Sequence, residues 1–278
     1  NSTTLVDYSD AEAIFSTRAV LPTNVVSYII RVKRLSDNVE TDVLIPTTQN
    51  GMISDESLVS AGGSLIDWHS NGNNTIITKW YDQKGNGHDL SQAVVGSSII
   101  FISSATNTIQ LFNGFPALPT TSGSIRYLSK GSSIAALDYL NDFTVLTAAN
   151  LKDITFDQNA GFLWTTSTAS GDRLDNHFEG VNNLALGTDH SKTVSGASIT
   201  KLSYTQLIQN TDANLHILVS DTGVMNGFHN DITDSQGVTP QSYQNSNFAT
   251  YSPFGNKVLG GNKYEHIIFA TSKMGDLD

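Results

Sequence analysis

The chain has 278 residues, 38% of them hydrophobic and only 15% charged, with a formal net charge of −11. No stretch gathers more than three Lys or Arg, so the basic footprint that a polyanion needs is missing and nucleic acid is excluded as a partner. There is no cysteine, which removes disulfides and thiolate metal sites, and no apolar run nears the roughly 18–20 residues of a membrane helix, so membrane insertion is not expected.

Serine, threonine, asparagine and glycine fill the rest. That polar but weakly charged mixture suits a β-sandwich with long surface loops, as found in extracellular, virion-surface or cell-surface proteins. The chain does not begin with Met and shows no signal peptide, so it is expected to be a processed product or a segment of something longer.

In chain order, Ser9-Asp10-Ala11-Glu12 has capping-box form. Ala11, Ile14, Phe15, Arg18 and Ala19 follow helical spacing, which predicts a short helix over about 10–18 that Pro22 would end. Ser27 to Arg34 reads as a strand, with Tyr28, Ile30 and Val32 on one face. Thr41 to Ile45 reads as another, stopped by Pro46. Residues 54–61 predict a second short helix, closed by Gly62-Gly63. Trp68, between that glycine pair and an Asn/Gly loop, is expected to be exposed.

The stretch from Ile76 to Leu90 organises the rest. Thr75 to Tyr81 is a strand of β-branched and aromatic residues, with Trp80 expected in the core. The strand breaks at Gly85-Asn86-Gly87, residues that accept positive φ. Asp82 and Gln83 stand where short polar side chains can bond the turn's own amides. Beyond Gln92, short β segments recur at 98–103, 108–112, 143–149, 162–166, 183–187, 199–207, 215–220 and 265–271, and Asn113-Gly114 marks a tight turn. This spacing predicts an antiparallel sandwich. No repeat or linker divides it, so residues 1–278 are read as a single domain.

The words Trp80-Tyr81-Asp82-Gln83, Gly85-Asn86-Gly87, Leu90 and Gln92 resemble the core motif of the α-L-arabinofuranosidase B catalytic domain. The likeness extends upstream through Thr17-Arg18-Ala19-Val20, the strand 28–34, Ser36-Asp37-Asn38 and Thr41-Asp42-Val43. Downstream it touches Phe112 to Leu118 and Val258 to Phe269. The resemblance implies an all-β, concanavalin A-like jelly roll, of the lectin/glucanase type, built of two antiparallel sheets with a few short helices.

A retaining glycosidase needs two carboxyl groups about 5–5.5 Å apart. The resemblance implies one within a Cys-Cys-Phe-Asp-Tyr-Gly-Asn-Ala-Glu segment and one directly after the late Gly-Gly. Here the late position is Asn262, an amide that cannot shuttle a proton. The region matching the earlier segment runs from Gly161 to Asp172 without cysteine or glutamate. No catalytic residue is therefore assigned.

The stretch Gly171 to Glu179 carries three carboxylates, an Arg and a His, and is read as a polar loop lining a sugar-sized groove. Trp164 would offer the stacking face, and Asp172, Arg173, Asn176, His177 and Asn262 would complete the groove. No cofactor is expected. The seven histidines lack the spacing of a helical zinc site, and calcium is the metal that oxygen-rich loops such as Asn230 to Asp234 would suit.

The leading expectation is a non-catalytic carbohydrate-recognition or adhesion module of a phage fibre, tail or bacterial surface protein. Its partners would be a host-surface polysaccharide and other subunits of a larger assembly. The alternatives are a structural decoration domain that contacts protein only, and a glycoside hydrolase using relocated carboxylates, Asp172 and Glu179.

Overall fold

The computed structural model describes residues 7–21, 27–47, 51–70, 72–120, 126–132, 134–137, 141–153, 161–167, 173–181, 185–194, 197–203, 214–222, 224–229, 232–237, 247–250 and 260–276. From 161 to 203 it describes the backbone alone.

The first half carries β1 (Ala11–Ser16), β2 (Tyr28–Arg34), β3 (Glu40–Leu44), α1 (Leu65–His69), β4 (Thr75–Trp80), β5 (Leu90–Ser91) and β6 (Ile99–Ile102). Short strands follow: β7 (Leu111–Phe112), β8 (Phe115–Pro116), β9 (Leu118–Thr120) and β10 (Leu128–Ser129). The second half is β11 (Phe143–Asp153), β12 (Gly161–Ser167), β13 (Arg173–Val181), β14 (Ala185–Val194) and β15 (Ala197–Ser203). It ends with β16 (Asn214–Asp221), β17 (Val224–His229), β18 (Ile232–Gly237), β19 (Asn247–Thr250) and β20 (Gly260–Phe269).

Among the described residues these form two large antiparallel sheets. One runs β1-β20-β11-β16-β17-β18, with β9 also on β20. The other runs β15-β14-β13-β12-β19-β10-β5-β4-β2-β3, with β6 also on β4. The expected sandwich of antiparallel sheets is present, and among the described residues helix is confined to α1 and single 3-10 turns.

The core lies between the sheets. Phe15, Val145, Leu218 and Ile268 of the first meet Ile30, Val32, Ile77, Trp80 and Phe101 of the second. Trp80 is fully buried, its ring 5.9 Å from that of Phe15. The other face of the first sheet is buried too: Ile14, Leu146, Ile217, Val219, Ile267 and Phe269 form a second cluster against Tyr8, Val20 and Met274. Burial on both faces explains the unbroken apolar runs Ile217-Leu218-Val219 and Ile267-Ile268-Phe269, where a half-exposed strand would alternate.

Two expected helices are corrected. Residues 11–16 form β1, preceded by a 3-10 turn that Asp7 caps by accepting from Ser9 N. Ala11, Ala13, Ile14 and Phe15 are all buried, on both faces of a strand that β20 completes, which the single stripe of a helix could not achieve. Glu12, read as the capping carboxylate, instead meets His88 Nε2 at 2.7 Å.

Residues 54–61 hold turns and isolated bridges, Val59 to Val43 and Leu58 to Ser64. Gly62 and Gly63, at φ 94° and 81°, reverse the chain between those bridges rather than cap a helix. The helix comes after them. Ser64 caps α1, accepting from Asp67 N and donating to the Asp67 carboxylate. Trp68 therefore lies in a helix and is buried, not exposed, with the Arg34 guanidinium 4.9 Å from its ring centroid.

On the β3 edge, Asp42 accepts from Arg31 Nε at 2.7 Å, Arg31 Nη2 at 3.1 Å and the Tyr81 hydroxyl at 2.6 Å. Burial alone would raise its carboxyl, but the bonds from Arg31 and Tyr81 outweigh it and hold the group below its ordinary 3.8. A depressed folded pKa means stability that is present above 3.8 and lost as pH falls through the folded value. Arg31 is partly exposed, so screening limits this to about 1 kcal/mol. Urea unfolding between neutral pH and pH ~2 is expected to show this acid-side loss in the native protein and a shallower one in Asp42→Asn. An unchanged slope would show that Asp42 is not its source.

Candidate ligand-binding site

The polar end of the motif strand fixes how the chain leaves β1. Trp80 Nε1 donates to Ser16 O at 3.2 Å, and Gln83 Nε2 donates to Ser16 O at 3.2 Å and Arg18 O at 2.8 Å. Gln83 Oε1 accepts from Val20 N at 3.1 Å. Gln83, read as bonding its own turn, thus clamps residues 16–20 instead; Asp82 does cap the turn, accepting from Lys84 N and Asn86 N. On the far side Ala19 N donates to Gly51 O at 2.8 Å. Gly51 has φ 76°, and a Cβ there would come within 2.9 Å of the Ala19 Cβ, so the approach requires glycine.

This clamp places Thr17 and Arg18 beside two other segments. Thr17 Oγ1 donates to Pro116 O at 2.8 Å, tying down the β7–β8 hairpin. Glu265, opposite Ser16 in the β1–β20 ladder, accepts from Ser16 Oγ at 2.8 Å and pairs with Arg18 Nη2 at 3.2 Å. Tyr264 falls where the β11–β20 register shifts between Ala148 and Ala149. A bulge of this kind re-aims one side chain. The Tyr264 ring packs on Phe112 at 6.4 Å.

Ser16, Arg18, Tyr264, Glu265, Asn113 and Phe115, with Thr17, Met52, Pro116 and Ala148, enclose a cavity of about 300 Å3. Phe115 is 53% exposed. The Tyr264 hydroxyl is buried and has no hydrogen-bond partner among the described residues. Burial raises its pKa, so it stays protonated at neutral pH and can donate. The Arg18–Glu265 pair is partly open to solvent and adds little stability. Its chemical use is to hold donors and acceptors side by side above an apolar wall, the layout that a polyhydroxylated ring can meet.

The residues expected to form a groove are divided. Trp164 in β12 lies directly opposite Asn176 in β13 and Thr250 in β19. Arg173 is opposite Ser167, and His177 is opposite Phe162. Asp172 lies outside the described residues. Asn262 belongs to the other sheet, paired with Asn150 and Pro119. The stretch read as a polar loop through Glu179 is corrected: from Arg173 it is strand β13, bonded on both sides by β12 and β14. Backbone ladders on two flanks hold a strand in place of an apolar repeat, so its polar composition misled. Part of the stretch suited to calcium is strand as well, Ile232 to Asp234 in β18, while residues 230–231 lie outside the described ones. Among the described residues no group of three His, Asp or Glu stands together as a metal site.

Arg18, Phe115, Tyr264 and Glu265 were not read as site residues. They come from three distant stretches, and the one local signal was the polar Tyr264-Glu265 step before an apolar strand.

No family model matches the chain, and no curated protein matches it. Solved structures share its fold. A GH54 α-L-arabinofuranosidase soaked with a cyclic sulfate inhibitor superposes with a TM-score of 0.62 at 13% identity over 94% of this chain. An arabinofuranosidase complexed with arabinofuranosyl-α-1,2-xylobiose gives 0.60 at 14% over the same share. The chain spans 59% of the length of each, and the architecture it shares with them is the all-β jelly-roll sandwich.

Proposed function

We propose that this protein is a non-catalytic carbohydrate-recognition module and that the cavity between β1, β20 and the β7–β8 hairpin is its saccharide site. The observation that carries the reading is a cavity that sets the Arg18–Glu265 pair beside an exposed Phe115 and the Tyr264 side chain. The charged pair can exchange hydrogen bonds with ring hydroxyls, while the aromatic surface covers the apolar face of a sugar.

Two further facts support it. The fold neighbours include structures solved with a cyclic sulfate inhibitor and an arabinofuranosyl-xylobiose. The residue after the late Gly-Gly is Asn262, where proton transfer would require an acid. The stretch of β12 and β13 that pairs Trp164 with Asn176 is retained as a second proposed contact region. An acidic, polar, cysteine-free composition favours a module on a virion or bacterial surface, joined to other subunits of its assembly.

The test is a glycan array followed by titration calorimetry. Neutral saccharides are expected to bind, and Phe115→Ala to weaken them by about tenfold or more, about 1.4 kcal/mol. Aryl arabinofuranosides should release no aryl alcohol. An empty array rejects the recognition role, and steady hydrolysis rejects the non-catalytic one.

A further inference from the structure

The β7–β8 hairpin borders a second hollow. A cavity of about 310 Å3 lies there, lined by Ile53, Asp55, Glu56, Ile109, Leu111 and Gly114. Met52 and Pro116 line both this cavity and the one beneath Phe115, so they form the ridge between the two. The ridge is held firmly. Pro116 O is bonded by Thr17 Oγ1, and the hairpin tip, Asn113 at φ 50° and Gly114 at φ 80°, is a tight turn with both central residues left-handed.

The hairpin offers one exposed apolar side chain to each cavity, Phe115 to the first and Leu111 to the second, 53% and 56% exposed. Each also sets carboxylate oxygens near that apolar surface. Asp55 is fixed by accepting from Ile109 N at 2.9 Å, and Glu56 is exposed. The charges differ. Arg18 balances Glu265 in the first cavity, whereas no Lys or Arg is among the described residues lining the second.

Resting on the saccharide reading above, we propose that the two cavities are consecutive subsites for one glycan chain that crosses the Met52–Pro116 ridge, and that the second admits neutral but not anionic sugar units. A sugar ring has an apolar face and a rim of hydroxyls, which matches a hydrophobic wall beside carboxylate acceptors. Each cavity alone sits at the small end of ligand pockets, about 300–1,000 Å3. Two linked units gain because the second binds at the effective concentration set by the linkage. A carboxylate or sulfate on the unit beside Asp55 and Glu56 would meet like charge, with no Lys or Arg among the described lining residues to offset it.

Calorimetry with linear arabino-, xylo- and galacto-oligosaccharides of one to six units, and oligogalacturonides of matching lengths, tests this. Affinity for the best neutral series is expected to climb at least ~tenfold from one unit to three. Phe115→Ala should weaken every length, while Leu111→Ala should weaken only the longer ones. Oligogalacturonides should bind at least ~tenfold more weakly, and Glu56→Gln should narrow that gap. Both truncations are at exposed positions, and unchanged thermal melts would confirm that the variants fold. Affinity independent of length, with Phe115→Ala still damaging, would overturn the second subsite and leave the saccharide reading standing. Absence of binding at every length would overturn both.

Discussion

Replacing Asp82 by alanine is expected to destabilise the protein by about 3 kcal/mol, measured as a lower urea midpoint and a melting temperature reduced by roughly 6–10 °C. The carboxylate is fully buried and accepts from Ile14 N at 3.0 Å, Lys84 N at 3.0 Å and Asn86 N at 3.1 Å. It joins strand β1 to the motif turn across 68 residues. The Ile14 amide is buried and would keep no acceptor; the other two are nearer solvent and would recruit water, which is why the loss stays below three full penalties. Asparagine should cost much less, because it retains a carbonyl acceptor and has no charge to desolvate. Burial raises the Asp82 pKa, partly offset by its amide donors. A raised folded pKa contributes stability below the ordinary 3.8 that is lost as pH rises through the folded value, opposite in sign to Asp42. Equal losses for alanine and asparagine would show that packing, not hydrogen bonding, dominates.

Tyr264→Phe should move stability and affinity in opposite directions. The hydroxyl is buried without a described partner, so deleting it removes an unsatisfied group and should raise stability by about 1–2 kcal/mol. The ring remains to pack on Phe112. A saccharide that draws this hydroxyl out of the cavity wall would accept from it, so the same change should lower affinity about tenfold, about 1.4 kcal/mol. Such a trade is expected where a site keeps a polar group unpaired in order to use it. A variant that loses both stability and affinity would mean that the hydroxyl is satisfied within the protein, and Tyr264 would drop out as a ligand contact.

The strands that were legible are those whose residues declare a period or an apolar run: 27–34, 75–81, 143–149 and 215–220 each lie within or close to an observed strand. Segment 10–18 was read at helical spacing because both of its faces are buried, which fills positions at every interval. Strand 173–181 was hidden by its polar residues, although β12 and β14 pair with it along both sides. Of the candidate groove, the Trp164–Asn176 adjacency was within reach, since β12 and β13 follow one another in sequence and pair antiparallel with these two residues opposite. The cavity was not. Arg18, Phe115 and Tyr264 meet through the β1–β20 ladder, the Thr17–Pro116 bond and a register shift, none of which leaves a mark in local composition.

Strand β20 lies between β1 and β11, yet of the described strands it is the last to leave the ribosome. Until it inserts, a vacant lane separates two open edges, and closing it brings Phe269 opposite Ala11 across nearly the whole chain. Contacts of such long range make for slow folding. Tyr264 and Glu265 arrive on this same strand, so a nascent chain can complete the cavity beside Phe115 only with the stroke that also seals its sheet.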